Sequence, residues 1–476
     1  MESLSKATRV QLSDFHSAPM RAFHITWMAF FVCFFAWFAC APLMPVIKGE
    51  FGLSKDQIAN INIAAVAVTI LVRLIIGPLC DKFGPRKAYT GLLLLGAIPV
   101  LGVASAQSYE SFLFFRLLIG AIGASFVITQ YHTSVMFAPN VVGTANAAAA
   151  GWGNAGGGAT QALMPLLLAA VIYLGVDAAY GWRIALLVPG VLMLVMSYFY
   201  WNYTQDCPAG NYSALRATGL LPGTGITVPE RSEVGADAGS CGASRTHCFA
   251  NTVSAPPARA GWLSFKQACA NYRVWMLFVT YGACFGVEIF IHNIVALYYV
   301  DEFGLSLKSA GLYAGIFGLL ALFARALGGY VSDRVAHSKG LDGRTLLLFA
   351  LILGEGLGLV WFSQMQVLWL AVIAMTAFGL FTHMACGATY ALVPFIDRKA
   401  LGGVAGIIGA GGNVGAVAAG FLMKGTADTQ SCLLILGSFV TASAVCAIAV
   451  RFSPDHKTRE ESLFQQALAE RAALAA

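Results

Sequence analysis

Residues 73–82 read RLIIGPLCDK, and residues 325–334 read RALGGYVSDR. Both stretches follow the pattern Arg-x3-Gly-x3-Asp and end in a basic residue, and the second begins 252 residues after the first. A second pair of similar stretches, residues 153–156 (GNAG) and residues 412–415 (GNVG), lies 259 residues apart. Two ordered echoes at nearly the same offset indicate a duplicated unit, as in chains built from parallel repeats.

The composition places both repeats in a membrane. The 476 residues are 58% hydrophobic and only 11% charged, with a mean hydropathy of +0.72, whereas soluble domains carry about 25% charged residues. Such a chain exposes apolar area to lipid, and apolar runs of about 20 residues recur along it. The net charge is +6, but no basic cluster resembles a nucleic-acid-binding arm. We therefore expect a lipid bilayer around the chain and no nucleic-acid partner.

The apolar runs predict an all-α integral membrane fold of about twelve transmembrane helices in two pseudo-symmetric six-helix bundles. They are too long and too uniformly apolar for the alternating strands of a barrel. The predicted spans are residues 25–46, 57–80, 88–106, 111–137, 143–174, 184–203, 274–300, 309–332, 345–364, 367–394, 401–423 and 430–450.

The polar stretches divide the chain into five parts. A segment rich in Gly, Ala, Ser, Thr and Pro separates the sixth and seventh spans and is typical of a flexible linker. The predicted parts are a tail (1–23), a first bundle (24–203), the linker (204–262), a second bundle (263–452) and a second tail (453–476). The first tail lacks the apolar stretch of a signal peptide, so we expect the first span to remain in the mature protein.

The basic residues predict the orientation. With the amino terminus in the cytoplasm, 21 of the 29 Lys and Arg residues fall on cytoplasmic segments, five fall outside and three lie within spans. This bias predicts that both termini and the linker lie in the cytoplasm.

Metal and enzyme chemistry are not indicated. Seven of the 11 cysteines lie in or beside apolar spans, where a thiol acts as a small apolar group. Cys207, Cys241 and Cys248 lie in the polar central segment without a CxxC pair, so zinc or a disulfide is only weakly indicated there. No nucleophile and base occur together at membrane depth. We expect no cofactor, no metal and no enzymatic activity.

Five charged residues lie within the predicted spans, where charge is costly and therefore informative. They are Arg73, Arg116, Arg325, Glu288 and Glu355. Arg73 and Arg325 precede the acids of their loops by eight residues, which places both about 12 Å inside the bilayer. Arg116 lies nearer the outer end of its span, and we interpret it as a structural residue that snorkels or holds neighbouring helices.

Two interpretations of Arg73 and Arg325 remain open. Each arginine could pair with Glu288, Glu355 or helix carbonyls and lock helices together. Alternatively, the two could form a cationic clamp for a small anion, because guanidinium groups offer rigid paired donors to planar oxyanions. Neither arginine has an acidic residue one turn away on its own helix. This favours an anion as the partner.

The fifth and eleventh spans are rich in glycine, which lets helix backbones approach and slide. We expect Gly153, Gly156, Gly412 and Gly415 to serve conformational change. Asn154 and Asn413 lie inside these runs. A buried amide needs a partner, which is either backbone or a ligand.

These motifs resemble a known family. The run at 150–159, with its Trp and Asn, resembles the nitrate signature of the nitrate/nitrite porter family within the major facilitator superfamily. Residues 126–131, 160–165 and 323–329 agree with this resemblance, and residues 77–87 resemble the general loop motif of the superfamily. The resemblance covers nearly the whole chain apart from the linker and the tails.

The resemblance implies nitrate and nitrite as ligands and assigns roles by position. Arg73 and Arg325 match the substrate-binding arginines, and Asn154 and Asn413 match the signature asparagines. Phe126 and Phe285 correspond to aromatics that flank the anion, and Tyr281 lies one turn from Phe285 as a hydroxyl donor. Nitrate is flat and monovalent, so aromatic faces can stack on it while N–H groups meet its oxygens in the plane.

Glu288 lies next to this group and departs from bacterial nitrate/nitrite exchangers, whose central cavity lacks a protonatable acid. It resembles the proton-coupled branch and could carry a proton with the anion. A structural hydrogen bond or an ion pair with an arginine is the alternative. His132, His292 and His383 also lie within spans. We interpret them as helix–helix hydrogen-bonding residues rather than a proton relay.

The resemblance and the residues together predict a secondary active transporter of nitrate and nitrite in the plasma or inner membrane. It would work by alternating access and proton-coupled uptake. Nitrate/nitrite exchange and a non-transporting nitrate sensor are the alternatives. A monomer is the default expectation.

Overall fold

The structure is a computed structural model that describes residues 6–138, 141–217, 266–397, 401–458 and 462. Cys241, Cys248 and residues 218–262 of the predicted linker lie outside the described residues.

Twelve helical segments among the described residues are long and apolar enough to cross a membrane. We number them the first to the twelfth span in chain order: Ala18–Phe51, Lys55–Gly77, Pro85–Ser105, Tyr109–Met136, Val142–Tyr173, Tyr180–Tyr203, Tyr272–Phe303, Leu307–Ala336, Ser338–Ser363, Leu368–Phe395, Gly403–Gly425 and Thr429–Ala449. The predicted all-α fold of about twelve transmembrane helices is confirmed. Most helices run past the predicted apolar stretch, because hydropathy marks only the part that lies in lipid.

The first, fourth and seventh spans each contain an internal 3-10 or π-helical stretch. The first consists of Ala18–Phe38, a 3-10 turn Ala41–Leu43 and Met44–Phe51. The fourth consists of Tyr109–Ile119, a 3-10 stretch Gly120–Ala124 and Ser125–Met136. The seventh consists of Tyr272–Tyr281, a π-helical stretch Gly282–Gly286 and Val287–Phe303. A Cβ atom at Gly286 would lie 2.7 Å from the Gly412 carbonyl oxygen, so only glycine allows this approach of the seventh and eleventh spans.

The remaining spans are more regular. The helix of the second span is Lys55–Phe83, and the helices of the third, fifth and sixth spans are Pro85–Gly102, Val142–Tyr173 and Ala178–Tyr203. In the second bundle, the eighth span consists of Leu307–Leu319 and the first part of Ala321–Ser363, and the ninth span is the last part of Ala321–Ser363. The helices of the tenth, eleventh and twelfth spans are Leu368–Leu392, Leu401–Gly425 and Thr429–Ala449. Gly340, with a φ of 58°, makes the turn between the eighth and ninth spans.

Successive spans alternate in direction, so the first span begins at the same face at which the twelfth ends. We call this the terminal face and the other the opposite face. At the terminal face the Arg21 side chain donates to the Tyr203 carbonyl at 2.9 Å, which joins the ends of the first and sixth spans.

Residues 204–217, at the start of the predicted linker, contact the turn between the second and third spans. Gly84 has a φ of 88° in the turn between the second and third spans, and any side chain there would meet the Asp206 carboxylate. Asp206 accepts hydrogen bonds from the backbone N–H groups of Arg86 (2.9 Å) and Tyr212 (2.8 Å). Burial raises the pKa of Asp206 above its ordinary value. A short helix, Tyr212–Ala217, follows.

The first and seventh spans form the centre of the molecule, since residues 33–44 and 283–299 are all buried. The two bundles meet along these spans and along the pairs formed by the second with the eleventh and the fifth with the eighth. At the opposite face, Lys48 of the first span pairs with Asp301 of the seventh at 2.7 Å. The bundle boundaries proposed from the sequence remain a prediction.

Candidate functional site

Arg73 lies in the middle of the second span and contacts both bundles. Its Nε and Nη2 atoms donate to the Gly123 carbonyl oxygen at 3.3 and 3.1 Å. Its Nη1 atom donates to the Gly409 carbonyl oxygen at 3.4 Å. Among the described residues, no carboxylate lies within ion-pair distance of Arg73. The guanidinium therefore keeps a positive charge that only carbonyl dipoles offset.

Arg325 of the eighth span has a different partner. Its Nη2 atom lies 2.5 Å from Oε2 of Glu288, and both side chains are buried. Glu288 lies on the seventh span, so the sequence of the helix that carries Arg325 does not indicate this partner. The ion pair that the sequence left as an alternative is present for Arg325, and Arg73 binds helix carbonyls.

The Phe285 ring brings the two arginines together. The guanidinium carbon of Arg73 lies 5.8 Å from the ring centroid, and that of Arg325 lies 5.4 Å from it. Arg73 is also 5.6 Å from the Phe126 ring. Tyr281 stacks on Phe285 with centroids 5.2 Å apart and planes 18° apart. Five of the predicted ligand-contacting residues thus form one group, although they come from four spans.

Tyr390 of the tenth span completes this aromatic group and was missed by the sequence analysis. Its ring lies 6.1 Å from Phe126 and 5.1 Å from Tyr281. It lies 259 residues after Tyr131 of the fourth span, which is the offset of the GNAG echo, so the repeat offered one sequence signal. The other was a hydroxyl-bearing aromatic residue in an apolar span, which many residues of this chain share.

Asn154 and Asn413 are both buried, with exposures of 1% and 0%. Neither amide nitrogen nor amide oxygen of these residues has a hydrogen-bond partner within the described part of the chain. Neither amide bonds to the arginines in this conformation. An unpaired buried amide costs about 1–3 kcal/mol, so both side chains offer unused donors and acceptors.

The four glycines expected to serve conformational change pack inside the bundles. A Cβ atom at Gly153 would meet the Phe30 ring, and one at Gly156 would meet the Phe31 carbonyl oxygen. One at Gly412 would meet the Phe285 ring, and one at Gly415 would meet the Gly282 carbonyl oxygen. These positions bring the fifth span onto the first and the eleventh onto the seventh.

Other glycines form the seam between the bundles. A Cβ atom at Gly158 would lie 2.5 Å from the Gly318 carbonyl carbon. Gly311 approaches the Gln161 carbonyl oxygen, and Gly151 approaches that of Ala321, in each case so closely that a side chain does not fit. The role of the eighth-span glycines at this seam was not predicted from the sequence, because glycine frequency alone does not tell which helix a residue faces.

Glu288 is the centre of a buried polar cluster. Besides Arg325, its Oε2 atom lies 3.5 Å from Nδ1 of His383 and 3.6 Å from the Cys386 thiol. The other imidazole nitrogen of His383 bonds to the Phe317 carbonyl at 3.0 Å. His383 therefore links the tenth and eighth spans, as expected for a helix–helix residue, but it also touches the acid.

The other two histidines lie elsewhere. His132 bonds to the Tyr200 hydroxyl at 2.5 Å and to the Gln205 carbonyl at 2.8 Å, at the terminal face. His292 packs against the Phe38 ring with centroids 4.9 Å apart. Within the described residues, neither ring nitrogen of His292 has a hydrogen-bond partner. Glu355 is fully buried, and no basic side chain of the described residues forms an ion pair with it.

Comparison with known proteins agrees with the fold. Residues 26–395 match the sequence profile of the Major Facilitator Superfamily. The chain is 36% identical over 452 residues to high affinity nitrate transporter 2.5 of Arabidopsis thaliana, an alignment that covers 94% of this chain and 83% of that protein. It is 30% identical over 433 residues to the nitrate/nitrite transporter NrtP of Nostoc punctiforme, with 83% of this chain and 85% of that protein covered.

A solved structure shares the fold alone. It is the crystal structure of a bacterial homologue of the human lysosomal transporter Spinster, in an inward-facing and unoccupied conformation. The TM-score is 0.62 at 14% sequence identity, and the match covers 92% of this chain and 99% of the other.

The fold and the buried basic site define a multi-pass membrane protein of the transporter class, and its relatives are named transporters rather than enzymes. The chain belongs to the Major Facilitator Superfamily and, within it, to the nitrate/nitrite porter family. The resemblance drawn from the glycine run and the arginine motifs is thereby confirmed.

Proposed function

We propose that this chain is a secondary active transporter of nitrate, and also of nitrite, that works by alternating access between its two bundles. The observation that carries the proposal is the shared position of Arg73 and Arg325 at the Phe285 ring. The names of the relatives support the choice of anion.

Arg73 is the primary anion-binding residue in this proposal. Its charge has no carboxylate partner among the described residues, and a half-buried cation without a counter-charge favours an incoming anion. A planar monovalent oxyanion can accept in-plane N–H bonds from the guanidinium while its faces contact the rings of Phe126 and Phe285.

The asparagines supply further donors when the anion is bound. Each amide N–H₂ group is buried and unpaired in the described structure. A small rotation of either helix that turns an amide toward the anion would relieve this cost. Asn413 follows Gly412, which packs directly on Phe285 and Tyr281.

Glu288 couples the anion to protons in this proposal. While Glu288 is ionised it occupies Arg325, so anion and carboxylate compete for the same guanidinium. Protonation of Glu288 frees Arg325 for the anion, and each ligand then raises the affinity for the other by the same factor. Inward movement of one nitrate against a negative-inside potential costs about 2.3 kcal/mol per 100 mV. At least two protons per anion therefore make the cycle electrically favourable, and His383 and Glu355 are the candidates for the second proton site.

The terminal face lies in the cytoplasm of a plasma or inner membrane in this proposal, because 21 of the 29 Lys and Arg residues then lie inside. The bundles comprise residues 24–203 and 263–452, with a monomer as the functional unit.

Uptake into vesicles tests substrate and coupling together. The purified chain is reconstituted into lipid vesicles, and uptake of isotopically labelled nitrate is measured with and without an inward proton gradient. Empty vesicles and vesicles that contain the R73A variant serve as controls. We expect uptake above both controls, accumulation only with the gradient, and competition by nitrite.

The other outcomes separate the alternatives. Nitrate flux that requires nitrite on the other side and ignores the proton gradient would show exchange. Nitrate binding without any flux would show a sensor. Flux of neither anion in a correctly folded protein would refute the proposal.

A further inference from the structure

Arg116 is a further arginine within a span, and the proposed transport cycle does not use it. It lies on the fourth span with no exposed surface. Its Nη1 atom donates to the Trp37 carbonyl oxygen at 2.9 Å, and its Nη2 atom donates to Oδ1 of Asn293 at 2.9 Å. No carboxylate of the described residues lies within ion-pair distance. The expectation that Arg116 holds neighbouring helices accounts for these contacts but not for the absence of a counter-charge.

The two partners of Arg116 belong to different bundles. Trp37 lies on the first span and is itself fixed within the first bundle, because its indole N–H donates to the Ala65 carbonyl at 2.7 Å. Asn293 lies on the seventh span, in the second bundle. Separation of the bundles at the opposite face would therefore break the Arg116–Asn293 bond and keep the Arg116–Trp37 bond. The guanidinium would stay in place with its Nη2 group uncovered.

Arg116 lies nearer the opposite face than the central arginines do. Arg116 is seven residues from the opposite-face end of its span and Asn293 is ten from that of its own, which corresponds to about 10 and 15 Å. Arg73 is 18 residues from the opposite-face end of its helix, or about 27 Å. Arg116 is therefore a separate position, well above the central arginines.

A cavity of about 240 Å³ lies between the two bundles near the opposite face. Both bundles line it, with Lys48 and Lys55 from the first and Ile294 and Asp301 from the second. Arg116 and Asn293 do not line this cavity themselves, but Ile294, which does, directly follows Asn293 in the chain. The Lys48–Asp301 pair lies at its rim and also joins the bundles.

We propose that Arg116 forms an outer binding site for the transported oxyanion, which Asn293 covers when the bundles meet at the opposite face. Asn293 is a neutral acceptor, so it satisfies the guanidinium without neutralising it. When the bundles separate, a monovalent oxyanion replaces the amide oxygen on Nη2 and offsets the buried charge. Departure of the anion toward Arg73 lets Asn293 return and close the path behind it. This inference rests on the proposed anion transport and adds a second site to it.

Substitutions of Asn293 test the outer site. Asn293→Asp places a carboxylate on Arg116, which fills the site and holds the bundles together. We expect uptake at low external nitrate to fall at least about tenfold, a loss of about 1.4 kcal/mol. Asn293→Ala removes the cover only, so the KM for external nitrate should not rise. Asn62→Asp is the matched control, because Asn62 is buried, lies seven residues from the same face and does not contact Arg116.

Three results would overturn the outer site: normal uptake by N293D, equal impairment of N293D and N293A, or equal impairment of N293D and N62D. Wild-type protein without nitrate flux would instead refute the proposed function.

A second measurement covers the case in which N293D does not fold. The buried thiol of Cys40 lies beside Arg116, and external nitrate should slow its labelling by a membrane-impermeant maleimide, as read by peptide mass spectrometry. Labelling unaffected by nitrate would also refute the outer site.

Discussion

Glu288 and Arg325 form a buried ion pair with 2.5 Å between Oε2 and Nη2, and Phe285 lies against the same guanidinium. Arg73, on the other bundle, contacts that ring, and its hydrogen bonds within the described part of the chain go to backbone carbonyls. The two arginines are therefore not equivalent, although the repeat makes them look so. In the proposed cycle, Arg73 receives the anion first, and Arg325 becomes available when Glu288 is protonated.

Glu288→Gln should separate anion movement from proton coupling. The amide copies the size of the protonated acid and cannot bind a proton at the pH of the experiment. We expect the variant to exchange labelled for unlabelled nitrate across vesicle membranes while it loses the uptake driven by a pH gradient. Accumulation with unchanged dependence on the gradient would show that Glu288 is structural, and exchange would then be the better mechanism.

His383→Asn should change the number of protons that accompany each nitrate. Its Nδ1 atom lies 3.5 Å from Glu288, so an imidazole proton can pass to or from the carboxylate. His132→Asn is the matched control, since His132 is equally buried but bonds to Tyr200 and Gln205 at the terminal face. The reversal potential of nitrate current in vesicles measures the stoichiometry. If H383N keeps the wild-type value, Glu355 becomes the candidate for the second proton site.

Arg73→Lys should weaken nitrate binding at least about tenfold, or about 1.4 kcal/mol. Lysine keeps the charge but cannot hold the Gly123 carbonyl and present a planar fork to the anion at the same time. Arg334→Lys is the surface control, because Arg334 is exposed and contacts Tyr330 of its own helix. Binding is measured by the nitrate-dependent rise in melting temperature of the purified protein. Equal rises in R73K and wild type would contradict the assignment of Arg73.

Much of the fold could be predicted from the sequence, because lipid permits few solutions. Apolar runs of this length form helices, and the Arg-x3-Gly-x3-Asp echo shows the duplication directly. The site was partly predictable for a related reason. Arg73 and Arg325 are conspicuous as charges at membrane depth, and the family motif assigned Phe126, Phe285 and Tyr281 to their surroundings.

Contacts between spans distant in sequence were not predictable. The Glu288–Arg325 pair joins helices that share no local pattern, so the sequence could only leave it as an alternative. Tyr390 and Gly318 have ordinary sequence surroundings, and only the packing shows what they face. The hydrogen bond from the backbone N–H of Arg86 to Asp206 at the start of the linker is a further contact of this kind.

The glycines provide the last prediction, since the structure divides them into two groups with different effects. Gly153 faces Phe30 of its own bundle, so Gly153→Ala overpacks that bundle and should lower the stability of the protein by about 1–3 kcal/mol. Gly158 faces the backbone of Gly318 in the other bundle. Gly158→Ala should leave each bundle intact but prevent the two from meeting along this seam. We therefore expect G158A to retain its melting temperature and lose most of its nitrate transport, because the path at the opposite face can no longer close. Gly406→Ala is the control within a glycine run, as a Cβ atom there meets nothing within 4 Å. Thermal unfolding and vesicle uptake of the three variants measure the two effects separately. Transport by G158A at the wild-type rate would show that the seam does not need to close during the cycle. Equal destabilisation of G158A and G153A would show that both glycines serve only packing.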